Sequence, residues 1–215
     1  MTYTMSESIH ETIKEIKKDF RLSMNGVVST IQRRQGLGYK INFGVEIPRL
    51  KAIAGKYQQS EELATALWKD DIRECKILAI YLIPEESYQS VAETWIEGTK
   101  YTEIAERLAM HMLCKLPDAA EKALLWTGME NEMFNYCGYM TLSHIFRNGA
   151  ALDTDKEQQL FNNVADLVAA ERGTTLQKCA INTLLHYIEA DAGREERLEA
   201  TLQENGKSAL LELLL

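Results

Sequence analysis

The chain has 215 residues, 46% apolar and 26% charged, enough to bury a sizeable core in one domain of ordinary length. A formal net charge of −8 excludes a uniformly cationic nucleic-acid surface. The longest apolar run, Ile77 to Ile83, falls far short of the roughly 20 residues that cross a bilayer, and Met1 to Phe20 mixes Glu, Lys and His unlike a signal peptide. A cytoplasmic location without membrane contact is therefore the expectation.

In chain order, Ile9, Ile13, Ile16 and Phe20 recur at intervals of four, three and four, the stripe of a helix with one buried face. The same pattern returns in Tyr88, Val91 and Trp95, in Leu160, Val164 and Leu167, and in Leu176, Ala180, Leu184 and Ile188. Pro48, Pro84 and Pro117 precede or open helical patterns, where a missing N–H costs nothing. Thr154 with Glu157 reads as a capping box, and Gly98, Gly149, Gly173, Gly193 and Gly206 follow apolar runs as C-terminal caps do. These signals predict helices over 7–20, 22–34, 47–57, 60–68, 71–83, 85–97, 101–115, 118–127, 131–147, 154–172, 174–190 and 194–204.

Between the second and third of these, Tyr39, Ile41, Phe43, Val45 and Ile47 alternate with polar or small residues at the strand period. No second strand is predicted to pair with them, so 37–47 reads as an extended connection pinned to the helices by its apolar side chains, with Gly36-Leu37-Gly38 as a turn before it. Short helices follow one another in units of a few tens of residues; Pro84 to Pro117 spans 33. That period predicts an all-α protein: a HEAT-like or armadillo-type α-α superhelix of stacked antiparallel helix pairs, forming a single domain over 1–215. A compact bundle is the alternative.

Cys75, Cys114, Cys137 and Cys179 form no CxxC, and His10, His111, His144 and His186 are scattered over separate helices. No disulfide, metal or other cofactor is expected. Charge is distributed unevenly: residues 1–57 carry 10 Lys+Arg against 5 Asp+Glu, and the remainder 14 against 27. Contact with a polyanion therefore needs local basic positions.

Several segments resemble the DNA alkylation repair enzymes, a family built of HEAT-like repeats that includes alkylpurine DNA glycosylases. Phe43-Gly44-Val45-Glu46-Ile47-Pro48-Arg49-Leu50 is similar to that family's opening segment. Leu67-Trp68 followed by Arg73-Glu74, Lys76 and Ala79 resembles its LW…RE…A signature, and Leu176-Gln177-Lys178-Cys179-Ala180-Ile181 its QKA helix. Order and spacing match over roughly residues 36–190. Position by position, the same residues also suit general packing roles, with Trp68 filling an inter-helix gap and Arg73 and Glu74 forming a surface ion pair.

The resemblance implies removal of alkylated bases, in which a fixed carboxylate stabilises an oxocarbenium-like sugar beside aromatic faces. The family uses a Trp-Asp-x-x-Asp helix, an Arg and a second Trp. The matching helix here reads Tyr101-Thr102-Glu103-Ile104-Ala105, which puts Ala105 at the catalytic Asp, Cys137 at the Arg and Asn182 at the second Trp. Base excision is accordingly expected to be lost or changed; Tyr101, Glu103 and Glu106 are the candidates for any that remains.

The resemblance also implies contact with duplex DNA through a concave face, for which Arg73, Lys76, Arg107, Arg147 and Lys178 form a candidate ladder of phosphate contacts. The alternative is a protein-interaction scaffold taking a peptide or basic partner, with Trp95, Trp126, Phe134, Tyr136 and Tyr139 as candidate anchors.

Overall fold

The computed structural model describes residues 5–170, 174–207 and 210–214. These are helical apart from their connections, and the chain divides into two compact units, Met1–Val91 and Ala92–Leu215.

The first unit contains α1 (Met5–Leu22), α2 (Gly26–Arg34), α3 (Ile47–Ala54), α4 (Glu61–Trp68) and α5 (Arg73–Leu82). On α1 the stripe buries Ile16 and Phe20 completely. The helix predicted from 22 starts instead at Gly26, because Asn25 caps it by accepting from the backbone N–H groups of Val27 and Val28. Between α4 and α5 the chain folds back sharply enough for the Ser60 N–H at the head of α4 to reach the Leu82 carbonyl at the end of α5, 2.9 Å away. Both α3 and α4 pack on α5, and Leu50, Ile53, Leu67 and Leu78 are fully buried there, each contributing about 1.5–3 kcal/mol.

The extended connection is held by the buried pair at the start of α5. Glu74 accepts from the Phe43 N–H with one oxygen and from the Val45 N–H with the other, each at 3.2 Å; Arg73 donates to the Val45 carbonyl at 3.0 Å and to Glu74 at 3.2 Å. Only one isolated bridge, Ile41 to Ile72, has strand character among the described residues. Gly44 within this segment has a φ of +71°, and a Cβ there would lie 2.2 Å from the Asn25 carbonyl oxygen. Glycine is thus required on two counts.

A 3-10 turn at Glu85–Ser87 leads into α6 (Tyr88–Glu97), which crosses the division between the units. The second unit continues with α7 (Thr102–His111), α8 (Ala119–Thr127), α9 (Glu132–Arg147), α10 (Thr154–Ala169), α11 (Thr174–Glu189), α12 (Arg194–Glu204) and α13 (Leu211–Leu214). The helix predicted over 101–115 ends early, because Met112 leaves the helical region and a 3-10 turn follows at Leu113–Lys115. Here α9 is the central element, packed against α7, α8 and α11, while α10 packs on α8 and α11. Thr183 on α11 donates to the Tyr139 carbonyl of α9 at 2.9 Å, and Asn163 on α10 donates to Thr127 of α8 at 2.9 Å.

Three capping expectations are corrected. The N-cap of α10 is Asp153, which accepts from the Lys156 N–H; Glu157 is buried and accepts from the Tyr187 hydroxyl at 2.5 Å, so Thr154 and Glu157 form no capping box. Gly149 and Gly206 have the positive φ of a left-handed cap, but Gly98 does not, and Gly193 is the N-cap of α12. Gly173 lies outside the described residues. At the start of α12, the buried Arg194 donates to the Ala150 carbonyl at 2.7 Å and the Tyr187 carbonyl at 3.3 Å, its guanidinium 5.7 Å and 4.8 Å from the ring centroids of Phe146 and Tyr187.

Candidate functional site

Two helices of the second unit carry a partly polar stripe at helical spacing. On α9 it runs through Tyr136, Met140, Ser143 with His144, and Arg147; on α11 through Thr175, Lys178 with Cys179, Asn182 and His186. Steps of three or four place these side chains on one face of each helix. With Glu106 of α7 they line a hollow of about 370 Å³. A second hollow of about 270 Å³ shares Arg147 and His186 and reaches Glu189.

Charge in the larger hollow is locally positive. Residues 92–215 hold 11 Lys+Arg against 20 Asp+Glu, yet the hollow presents exposed Arg147 and Lys178 against Glu106 alone. Tyr136 donates its hydroxyl to Glu106 at 3.0 Å. Burial, followed by the Glu106 carboxylate, pushes that phenol above its usual range. Ser143 Oγ and His186 Nδ1 are 2.5 Å apart. Burial pushes the Cys179 thiol up to about 12, so it stays protonated at neutral pH.

His144 lies half-buried in the same wall, its Nε2 enclosed without a hydrogen-bond partner. Burial, with Arg147 and then His186 adding to it, lowers its pKa below 6.5. The unfolded chain therefore takes up this proton before the folded one does. Stability from this group is complete above about pH 6.5 and declines as pH falls through the folded value. In thermal denaturation, Tm is expected to drop between pH 7.5 and 5.5, and His144→Gln to shrink that drop; an equally steep drop in the variant would remove His144 as its source.

The sequence-derived candidates fall into different environments. Ala105 and Cys137, matched to the catalytic Asp and Arg, are fully buried and are not walls of the hollow, whereas Asn182 and Glu106 line it. Tyr101 is the N-cap of α7, and Glu103 lies half-buried in its first turn; neither is a wall of the hollow. Of the basic ladder, Arg147 and Lys178 share the hollow, while Arg107 lies outside it with a buried, unpartnered Nε.

Arg73 requires a correction as a phosphate ligand, since it is only 2% exposed and its guanidinium is bonded inside the first unit. The same burial corrects the reading of Arg73 and Glu74 as a surface pair. Lys76, half-buried, donates to the Trp68 carbonyl and stands 4.4 Å from that ring's centroid, so its ammonium is engaged within the first unit. The candidate protein anchors are also corrected: Trp95, Trp126, Phe134, Tyr136 and Tyr139 are all buried, so they form no exposed aromatic patch. Ser143, His144 and His186 join the site only through the structure; their helical spacing is the one signal of it that the sequence carries.

Among the described residues no group of three or more His, Cys, Asp or Glu side chains is placed to hold a metal, and no helix is long and apolar enough to cross a membrane.

The architecture is that of the HEAT-like repeat class. A solved structure from a family of proteins related to the HEAT-like repeat DNA glycosylases, with affinity for branched DNA structures, superposes with a TM-score of 0.76 at 18% identity, covering 89% of this chain and 82% of that one. At that identity the likeness carries the fold alone. The family profile of the DNA alkylation repair enzymes matches residues 32–208, and the chain belongs to that family. No curated protein matches it in sequence.

Proposed function

We propose that this protein binds DNA through the hollow formed by α7, α9 and α11, and that it does not excise bases. The observation that carries the reading is the placing of Arg147 and Lys178 on neighbouring helices over one hollow, in a unit whose net charge is otherwise strongly negative. Cations so placed suit successive phosphates, and Asn182 and His186 between them are hydrogen-bonding groups for the backbone or a base edge. The affinity of the solved relative for branched DNA makes junctions as well as duplexes suitable ligands.

Loss of excision is supported by the chemistry of the walls. The carboxylate on the hollow, Glu106, is exposed and already accepts from Tyr136; water screens its charge where a developing oxocarbenium ion needs a dry, fixed one. Asn182 provides no π face where the family has its second Trp. A second reading has one observation in its favour: Glu106 does line the hollow, so it is placed to act as a substitute carboxylate.

One set of binding and single-turnover measurements tests both. Fluorescence anisotropy with labelled duplex and four-way-junction DNA is expected to show affinity falling linearly in log–log form with salt. Arg147→Gln with Lys178→Gln should reduce that slope by about one for each phosphate no longer neutralised. Salt-insensitive binding, or none, overturns the DNA reading. Duplex containing 7-methylguanine or 3-methyladenine should release no free base; release that Glu106→Gln abolishes would establish the second reading.

A further inference from the structure

In the first unit α2 turns only Val28, Ser29 and Gln32 half inward and leaves its other aliphatic residues in water. None of its nine residues is buried. Two side-chain hydrogen bonds tie it to the extended connection: Ser29 donates to the Asn42 carbonyl at 2.7 Å and Arg33 to the Tyr39 carbonyl at 3.2 Å. Val27 and Ile31, two positions round the helix from that pair, are 70% and 48% exposed, and Leu22 and Met24 just before the helix are 76% and 62% exposed. A surface helix ordinarily turns its aliphatic residues to the core. Here four large ones stand in water within ten residues of chain.

The charge around them has one sign. From Phe20 to Val45 there is no Asp or Glu, although the chain has 32, and the same stretch carries Arg21, Arg33, Arg34 and Lys40. All four are exposed, and Arg21, Arg34 and Lys40 make no ion pair among the described residues. Aliphatic side chains amid cations complement a ligand that is apolar and anionic together. Unpaired nucleotides have this character, since an unstacked base offers an apolar face and its phosphate a charge, whereas a closed duplex presents mainly phosphates. Like charge argues against a second copy of this face.

We infer that Leu22, Met24, Val27 and Ile31 form a contact surface for unpaired bases at a branch point or fork, with Arg21 and Arg34 on the flanking phosphates. The inference rests on the DNA reading above and adds a surface that distinguishes open from closed DNA.

The test uses the full chain, a forked DNA with single-stranded arms and a fully paired duplex of the same length. The unaltered protein should prefer the fork. Val27→Gln with Ile31→Gln, both at exposed positions where substitution leaves the fold intact, should remove roughly tenfold of fork affinity while leaving duplex affinity and salt slope unchanged. Arg147→Gln with Lys178→Gln should instead weaken both ligands. Duplex binding without any preference for the fork, or a preference that survives the α2 changes, overturns the inference and leaves the DNA reading standing. Failure to bind either DNA removes both. Sedimentation with phosphatidylglycerol vesicles, lost on the same α2 changes and unaccompanied by fork preference, would assign the surface to a membrane.

Discussion

Replacing Glu74 with alanine is expected to cost about 3–5 kcal/mol, because breaking a buried ion pair leaves an uncompensated charge inside the protein. Arg73 is then buried beside an empty acceptor site, and the Phe43 and Val45 N–H groups lose the carboxylate that holds them. Against a total stability of about 5–15 kcal/mol for an ordinary domain, such a loss puts folding near its limit. Urea denaturation followed by circular dichroism measures it. Glu74→Gln, which keeps an acceptor, should fall between wild type and alanine. The double change Arg73→Met with Glu74→Leu should be milder than Glu74→Ala, since it removes the stranded charge. A Glu74→Ala protein within about 1 kcal/mol of wild type would show that the pair does not hold the extended segment.

The second large effect is expected at Gly138. In an exposed helix, glycine to alanine is favourable by about 1 kcal/mol. Here the new Cβ would lie 2.6 Å from the Ala123 carbonyl oxygen and 2.9 Å from the Thr127 nitrogen, both backbone atoms of α8 that cannot swing aside. Steric overlap outweighs propensity, and Gly138→Ala should destabilise by about 1–3 kcal/mol net through forced separation of α8 and α9. Tyr136 and Met140 stand on the far face of the same stretch of α9, so DNA affinity at the hollow should fall with it. Gly55→Ala is the control: its Cβ would meet nothing nearer than 3.6 Å, its φ is −62°, and it should be neutral or slightly stabilising. An unchanged urea midpoint for Gly138→Ala would mean that the two helices separate at little cost.

The fold was legible because a helix that must bury one face records it at a fixed spacing. The stripes ending in Phe20, Trp95, Leu167 and Ile188 all mark helices, and their apolar residues are now interior except Ile9, Ile13 and Ile188, which are half-buried. The extended connection was legible too, for lack of any strand to pair with it. What holds it was not: two adjacent charged residues look the same in sequence on a surface or in a core, and only the passage of residues 43–45 over α5 buries Arg73 and Glu74.

The candidate site was legible in part. Arg147, Lys178, Asn182 and Glu106 are all marked by the sequence and stand around one hollow. Ala105 and Cys137 align with catalytic positions yet face the interior, because one residue along a helix turns a side chain by about 100°, and a register taken from sequence alone is no finer than that. The pairing of His186 with Ser143 is invisible in sequence because the two meet only when α9 and α11 lie side by side, 43 positions apart in the chain.

The contacts of Arg194 give the carboxy-terminal helices a purpose beyond length. Its guanidinium covers the Phe146 and Tyr187 rings while its donors occupy carbonyls at Ala150 and Tyr187, and nearby Arg197 stands 3.4 Å from Glu157. Proteolysis or a stop after residue 190 would strip the cap from that aromatic cluster and leave the Glu157 carboxylate, bonded to Tyr187 of α11, without its counter-ion. The tail thus works as a clasp, and trimming the protein to its most recognisable repeats would loosen the very helices of interest.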